Sequence, residues 1–322
     1  MKTIFRSVPA FTIDQRYVRL SAARPVRWER LTVETDVRPH DHEFTEICLV
    51  LEGGALHVTE TGGSPVRPGS VLVMPPGAVH SFREVRGMAV VNVYFLAEWF
   101  LPELRLESAS QGLVPLFFPQ ALRTLRESPH PLEMEIPPPI QAMVLRELRD
   151  LDEPLRGSSP LWVTCCFLKF LQILAESYHT QALPAAAVPG PLPALVWRAF
   201  PLVDRAVQGG EKLDLQVLAG SLGVTRDHLG RVFAQHVGEP PQAFYQRRRL
   251  QFVCRALLSP HVTLAEIAHR FAFSDEAHMS RMFKTEFALT PGAYRRKFVE
   301  ENTSVTAKVG LLSARPGGTR DG

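Results

Sequence analysis

Between residues 213 and 284 one local pattern occurs twice, and a chain that carries it must pair short helices. In the first copy Leu215, Leu218, Ala219 and Leu222 recur at i, i+3, i+4 and i+7, the spacing of a buried helix stripe. Gly223-Val224 interrupts the stripe, and glycine supplies the positive φ that a tight turn needs. Thr225 is a good N-cap for a following helix that buries Leu229, Val232 and Phe233. That helix turns Arg226, Asp227, Gly230, Arg231 and Ala234 outward. About fifty residues later Thr263 and Glu266 have the spacing of a capping box, and Leu264, Ile267, Ala268 and Phe271 make the stripe. After a turn at Ala272-Phe273, Ser274 is the expected cap of a helix that buries Met279, Met282 and Phe283. Glu276, Ala277, Ser280, Arg281 and Lys284 then face outward.

A short helix, a tight turn and a second helix with a polar outer face is the helix-turn-helix plan, whose second helix enters the major groove of DNA. An arginine on that face suits guanine, which accepts two hydrogen bonds from it. One such pattern describes any helical hairpin. Two in tandem, joined by an arginine-rich segment at 244–250, point to double-stranded DNA as partner. For the run Arg247–Arg248–Arg249 alone, DNA contact and a solvated helix face are equally good readings.

Composition sets the frame. The 322 residues suffice for two domains, and 45% hydrophobic with 21% charged residues excludes a wholly disordered or fibrous chain. Net charge is +3, but residues 211–300 hold 13 Lys+Arg against 9 Asp+Glu. The positive excess thus sits with the tandem pattern. Cys48, Cys165, Cys166 and Cys254 form no CxxC pair and read as buried thiols in a reducing compartment. The N-terminus lacks a signal-peptide apolar run. The most apolar stretch, 161–174, contains Lys169 and is shorter than the ~20 residues that cross a bilayer. A cytoplasmic protein without membrane contact is expected.

Residues 16–100 read as strands at 27–33, 46–51, 56–59, 71–74 and 89–95, divided by Gly/Pro punctuation such as Gly53-Gly54, Gly62-Gly63 and Pro68-Gly69. Many short strands suggest a small barrel or jelly roll. Helical periodicity follows at 115–180. Ile140, Val144, Leu145, Leu148 and Leu151 form one stripe; Leu161, Cys165, Leu168, Leu171, Ile173 or Leu174, and Tyr178 form another. These helices serve as core cover or as a dimer contact. Proline-rich 179–193 reads as an interdomain linker, and the polar tail 301–322 as disordered.

Within the strand-rich half, His40 and His42 share a strand face, Glu46 lies on that side if the strand is unbroken, and His80 follows the Pro75-Pro76-Gly77 turn. Three imidazoles and a carboxylate facing one cavity can bind a divalent transition metal, and Zn, Fe, Mn and Ni are equally compatible. For a small effector, Trp28 offers a stacking face, although core packing is the simpler reading; Arg38, Glu46 and His57 offer polar contacts. Phe11, Tyr17 and Arg19 belong to an arm that can fold over the pocket.

Two segments carry a resemblance. LAGSLGVTRDHLGRVFAQHVGEPPQAFYQRRRLQFVCRALL and VTLAEIAHRFAFSDEAHMSRMFKTEFALTPGAYRR resemble the DNA-binding domain of the AraC/XylS family of bacterial transcription regulators. Ile267-Ala268, Phe273-Ser274, Phe283-Lys284 and Thr290-Pro291 are its strongest markers. The spacings His40-x-His42-x3-Glu46 and Gly69-x5-Pro75-x-Gly77-x2-His80 are similar to the two motifs of the cupin superfamily, a barrel that AraC-type regulators commonly carry. Glu34 and Glu84 stand where those motifs have glycine and asparagine, and Ala272 and Ala288 where the AraC/XylS family has turn glycines.

The resemblance implies an α+β chain: an N-terminal cupin-like β-barrel with appended helices (1–178), a linker (179–194) and an all-α C-terminal domain of two tandem helix-turn-helix units (195–300). It implies that Glu276, Ala277, Ser280 and Arg281 face bases or nearby phosphates, joined in the first unit by Arg231. It also implies a sequence-specific transcriptional regulator, acting as a homodimer with RNA polymerase as a further partner, that answers to a small molecule, a sugar among the candidates. The alternative is a metal-dependent cupin enzyme, an isomerase or dioxygenase, fused to a DNA-binding domain.

Overall fold

A computed structural model of the chain describes residues 11–14, 17–102, 104, 113–118, 131–152, 159–179 and 193–300. The expected linker, apart from its two ends, and the whole expected tail lie outside these residues.

The N-terminal half is one eight-stranded sheet. Its strands are β1 (Phe11–Ile13), β2 (Val26–Val33), β3 (Val37–His42), β4 (Thr45–Thr59), β5 (Gly62–Val66), β6 (Ser70–Met74), β7 (His80–Phe95) and β8 (Leu132–Glu135). The hydrogen-bonded order is β1-β3-β7-β4-β6-β8, with β2 on β7 and β5 on β4. The runs expected at 46–51 and 56–59 are one strand, because Gly53-Gly54 is a bulge and not a turn. Register shifts against β7 fall on either side of these glycines. Gly53 has φ 68°, and a Cβ there would lie 2.2 Å from the Gly87 carbonyl oxygen, so only glycine lets the strands meet.

Alternation sorts the two faces. Cys48, Val50, Leu72, Met74, Met88 and Val90 make the core inside the curved sheet, with Leu31 and Val33 packed against it. Ile47, Leu49, Val71, Val73, Val91 and Val93 face the other way, onto the helices. Those helices are α1 (Ala97–Phe100), α2 (Leu113–Phe117), α3 (Pro138–Leu151) and α4 (Pro160–His179). On α3 the expected stripe is the buried one, through Val144, Leu148 and Leu151. On α4 the phase differs from expectation. Leu161 (72% exposed) and Cys165 point out, while Phe167, Phe170, Leu171, Leu174 and Tyr178 are buried. The helix has the expected extent, but its apolar span is longer than the expected 161–174. Leu161–Tyr178 is long and apolar enough to cross a membrane, but 56% of it is buried within the protein, as in a core helix.

The C-terminal half is helical: α5 (Ala194–Gln208), α6 (Leu215–Ser221), α7 (Arg226–His236), α8 (Pro241–Leu257), α9 (Leu264–Arg270), α10 (Glu276–Phe287), α11 (Pro291–Arg295) and a π-helical turn over Arg296–Glu300. Its core joins that of the sheet's outer face. Trp99 Nε1 donates to Tyr294 Oη at 2.7 Å, Ala22 N donates to Phe298 O at 3.0 Å, and Lys297 reaches Glu43 at 3.3 Å.

Candidate effector site and nucleic-acid interface

Inside the sheet, β3, β4 and β7 bring four imidazoles together. His80 Nε2 lies 3.1 Å from His40 Nε2, and His80 Nδ1 lies 3.2 Å from His57 Nε2. One nitrogen from each of His40, His42 and His80 falls within 4.8 Å of the others, and all three residues are buried. Glu46 joins them, its Oε2 2.8 Å from His42 Nε2. The strand is not unbroken, as expectation required: β3 ends at His42, and Glu46 returns on β4 after a two-residue turn. Burial and the neighbouring imidazoles hold His80 well below the usual imidazole pKa, and His40 is lowered for the same reasons. Both are therefore neutral near pH 7 and keep a lone pair for a ligand.

The expected effector contacts separate. His57 is fully buried and belongs to the imidazole chain. Its Nδ1 lies 2.7 Å from Glu133 Oε1 on β8, and Glu133 also accepts from Ser64 Oγ at 2.6 Å. Partial burial pushes Glu133 up, but the bonds from His57 and Ser64 prevail and hold it below the usual carboxylate value. Arg38 is exposed, because a register shift between Val37 and His40 turns it to solvent. It lies over the Phe11 ring, which in turn stacks on His40 at 5.3 Å. Phe11 thus covers the site as expected of the arm, whereas Tyr17 is 50% exposed. Trp28 packs on the outer-face core, the simpler of its two expected roles. Its neighbours Arg27 and Glu29 have the opposite parity and face inward with Asn92 and Tyr94. Sequence reasoning missed these four and Glu133. Parity was the available signal, since Arg27 and Glu29 alternate in step with Leu31 and Val33.

In the helical half, α6 starts at Asp214, whose carboxylate accepts from the Gln216 and Val217 amides. Thr225 caps α7 through the His228 amide at 3.2 Å, and Thr263 and Glu266 form the capping box of α9, both as expected. The cap of α10 is Asp275, which accepts from the His278 amide at 2.6 Å, and not Ser274. The second turn has one residue more than the first, which moves the cap by one position. Ala272 and Ala288 hold φ of 57°, the conformation of the glycines they stand for. Arg226, Asp227 and Arg231 on α7 are exposed, as are Glu276, Ala277, Arg281 and Lys284 on α10; Ser280 is half-buried. The two sets correspond at an offset of fifty residues, with Arg231 matching Arg281 and Gly230 matching Ser280.

Residues 32–151 match the family described as an AraC-like ligand binding domain, and residues 218–297 match one described as a helix-turn-helix domain. The chain has the two domains of an AraC-type transcriptional regulator. Along most of its length this regulator is similar to the HTH-type transcriptional activator RhaS of Pectobacterium atrosepticum: 25% identical over 285 residues, covering 86% of this chain and 94% of that one. It is also similar to the activator RhaR of Yersinia pestis bv. Antiqua, 24% identical over 290 residues and covering 89% and 94%. Among solved structures, fatty-acid-bound ToxT of Vibrio cholerae aligns over 85% of this chain and 96% of that one, with 12% identity and a TM-score of 0.41. The regulator is thus a sequence-specific DNA-binding protein with a small-molecule-binding domain. Its relatives are named transcriptional activators, so the enzyme alternative falls.

The regulator's Arg247–Arg248–Arg249 run fits neither of its expected readings. Arg248 is fully buried: Nε and Nη2 donate to the two Asp204 carboxylate oxygens at 2.7 and 2.8 Å, and Nη1 to Gln251 Oε1 at 2.8 Å. Arg249 donates to the Phe271 carbonyl at 2.7 Å and lies 3.7 Å from the Phe273 ring centre. Arg247 pairs with buried Glu239. Part of the positive charge of residues 211–300 is therefore engaged within the protein, while Arg226 and Arg231 on α7 and Arg281 and Lys284 on α10 are exposed, as are Lys212, Arg270 and Arg296.

Proposed function

We propose that the regulator activates transcription by laying α7 and α10 into successive major-groove segments on one face of a duplex, about 34 Å apart. The observation that carries this reading is the correspondence of the two exposed helix faces, Arg226, Asp227 and Arg231 with Glu276, Ala277, Ser280, Arg281 and Lys284. Affinity comes from phosphate neutralisation and specificity from these faces. Footprinting of full-length protein on its own promoter tests it: two protected segments one helical turn apart are expected per DNA-binding domain, and a single segment contradicts it. The named relatives are activators, which supports RNA polymerase as a further partner. Exposed Leu161 on α4 and Met143 on α3 support a homodimer contact through these helices. The reading places the protein in the cytoplasm, with sensing in residues 1–178, a linker at 179–194 and DNA binding in 195–300.

The sensing site fits a divalent transition metal. His40, His42, His80 and Glu46 would hold it: neutral imidazoles and a carboxylate are the donor set for Zn, Fe, Mn or Ni. His42 Nδ1 has no hydrogen-bond partner among the described residues. A bound metal would supply open coordination positions to a polar effector. Purified protein is expected to carry about one metal per chain by elemental analysis, and His42→Ala to lose it. Protein that stays metal-free after incubation with all four ions rejects the site.

A further inference from the structure

Between the two helix-turn-helix units runs α8, and its buried polar side chains tie the units to each other. Arg249 is only 4% exposed and reaches the second unit. Its Nε donates at 2.7 Å to the carbonyl of Phe271, which caps the C-terminal end of α9. Its guanidinium lies over the Phe273 ring at 3.7 Å and the Tyr245 ring at 5.3 Å, and Nη1 donates to Gln246 Oε1 at 2.6 Å. Tyr245 reaches the first unit: its Oη donates at 2.6 Å to the Glu211 carbonyl, in the loop that leads into α6. In the same loop Gly210 holds φ 66°, and a Cβ there would lie 2.7 Å from the carbonyl oxygen of Arg270, the last residue of α9. The entry loop of the first unit thus rests on the end of α9 in the second. On α8 also, Arg247 pairs with Glu239, which follows α7, and attracts Glu286 of α10.

Folding alone does not account for Arg249. An apolar side chain would fill its place without the desolvation that a buried guanidinium suffers. Its Nη2 has no hydrogen-bond partner among the described residues. What an apolar side chain cannot do is hold a carbonyl, an amide and two ring faces in fixed directions, as a planar fork of donors does. Hydrogen bonds weaken steeply as they bend, so turning one unit against the other loses these contacts together.

We propose that Arg249, Tyr245 and Gly210 set the angle between the two helix-turn-helix units and thereby select the spacing of the DNA segments that α7 and α10 enter. This rests on the two-segment reading and adds a determinant of operator choice to it. One base pair inserted between the segments carries the second about 3.4 Å along the duplex and turns it by about 35°. A firmly jointed protein cannot follow that turn with both helix faces engaged, and it loses base contacts at one of them. A loosely jointed protein follows. The three are positioning residues: the outward faces read the bases, and the joint decides how far apart those bases lie.

The test is gel-shift titration of the full-length protein on its own promoter, with one base pair inserted or removed between the two footprinted segments. The wild-type protein is expected to lose about ten-fold or more in affinity at each altered spacing. Arg249→Met is expected to lose most of that discrimination, and Tyr245→Phe, which removes a single bond, part of it. Asp204→Ala lowers stability away from the joint and is expected to keep the discrimination, which separates positioning from a general loss of stability. If Arg249→Met does not fold, Tyr245→Phe and Gly210→Ala carry the test. Full discrimination in folded Arg249→Met, or in both of the other two, overturns the joint. A wild-type protein that tolerates altered spacing also overturns it and leaves the two-segment reading standing. A single footprinted segment overturns both.

Discussion

Asp204→Ala is the most informative single perturbation of the DNA-binding half. The Arg248 side chain has no solvent exposure and that of Asp204 only 8%. Removing the carboxylate takes away both partners of one edge of the guanidinium and leaves Gln251 and, at 3.3 Å, the Leu101 carbonyl. A buried charge stripped of its counter-ion costs about 3–5 kcal/mol. Total stabilities of about 5–15 kcal/mol make that about a fifth or more of the whole for a typical domain. Arg248→Met, which strands the carboxylate instead, should cost a comparable amount. The double variant removes both charges and should cost less than the sum by about 2 kcal/mol or more, since two neutral side chains need no compensation. Urea unfolding followed by circular dichroism measures all three, with unchanged m-values as the condition for comparing them. A loss under about 1 kcal/mol in Asp204→Ala refutes the buried-pair reasoning. DNA binding adds an independent readout. If Arg248 is internal, Arg248→Met leaves the salt dependence of promoter affinity unchanged, whereas loss of a phosphate contact lowers the slope by about one.

Other perturbations have defined signs. Arg281→Ala should weaken specific promoter binding by about 1–3 kcal/mol in competition gel shifts, and an unchanged affinity removes it from the base-reading face. Ala288→Gly relieves a left-handed residue at the end of α10 (φ 57°, ψ 3°) and should stabilise the protein by about 1 kcal/mol; a lower urea midpoint contradicts this. Gly230 is a half-buried helical residue where an added Cβ meets nothing within 4 Å, so Gly230→Ala should raise stability by about 0.5–1 kcal/mol; a destabilised variant contradicts this. His80 and His40 are held below the unfolded imidazole value of 6.5, so the unfolded chain takes up protons first on acidification. Their neutral burial is fully tolerated above that value, and stability should fall as pH drops from about 7 to about 5; a urea midpoint that rises over this range refutes it.

How far the chain could be read follows from the kind of signal each feature leaves. The tandem helical pairs were legible because stripe, cap and turn are all local: Leu218 and Ala219, Thr225, Thr263 with Glu266. The error at Ser274 came from one extra turn residue, which periodicity does not count. His40, His42 and His80 were legible from strand alternation and a Pro-Pro-Gly turn. Arg27, Glu29, Asn92 and Tyr94 needed the register of three strands, and Trp28 drew attention for its chemistry although its parity is that of Val26, a residue of the outer-face core. Arg248 was illegible because its partner Asp204 lies 44 positions away, and a charged residue on a helix reads as solvated unless its partner is known. On α4 apolar residues occur on every side, so its phase is set by the sheet it meets and not by its own pattern.

The contact between the two halves has a size that a small effector can work against. Among the described residues its polar contacts include Trp99 with Tyr294, Tyr294 with Glu98 at 3.2 Å, Arg248 with the Leu101 carbonyl, Ala22 with Phe298 and Lys297 with Glu43. Hydrogen bonds of this kind contribute about 0.5–1.5 kcal/mol each. A ligand shifts the equilibrium between two arrangements only by the ratio of its affinities for them. A hundred-fold ratio is worth about 2.7 kcal/mol, which matches two or three of these bonds but not the packed aromatic core of Trp99, Tyr294 and Phe298 beneath them. An effector of that selectivity can therefore exchange the rim contacts at Phe298 and Lys297 while α1 stays docked. The expected response is a re-aiming of the second helix-turn-helix unit and not a parting of the two halves.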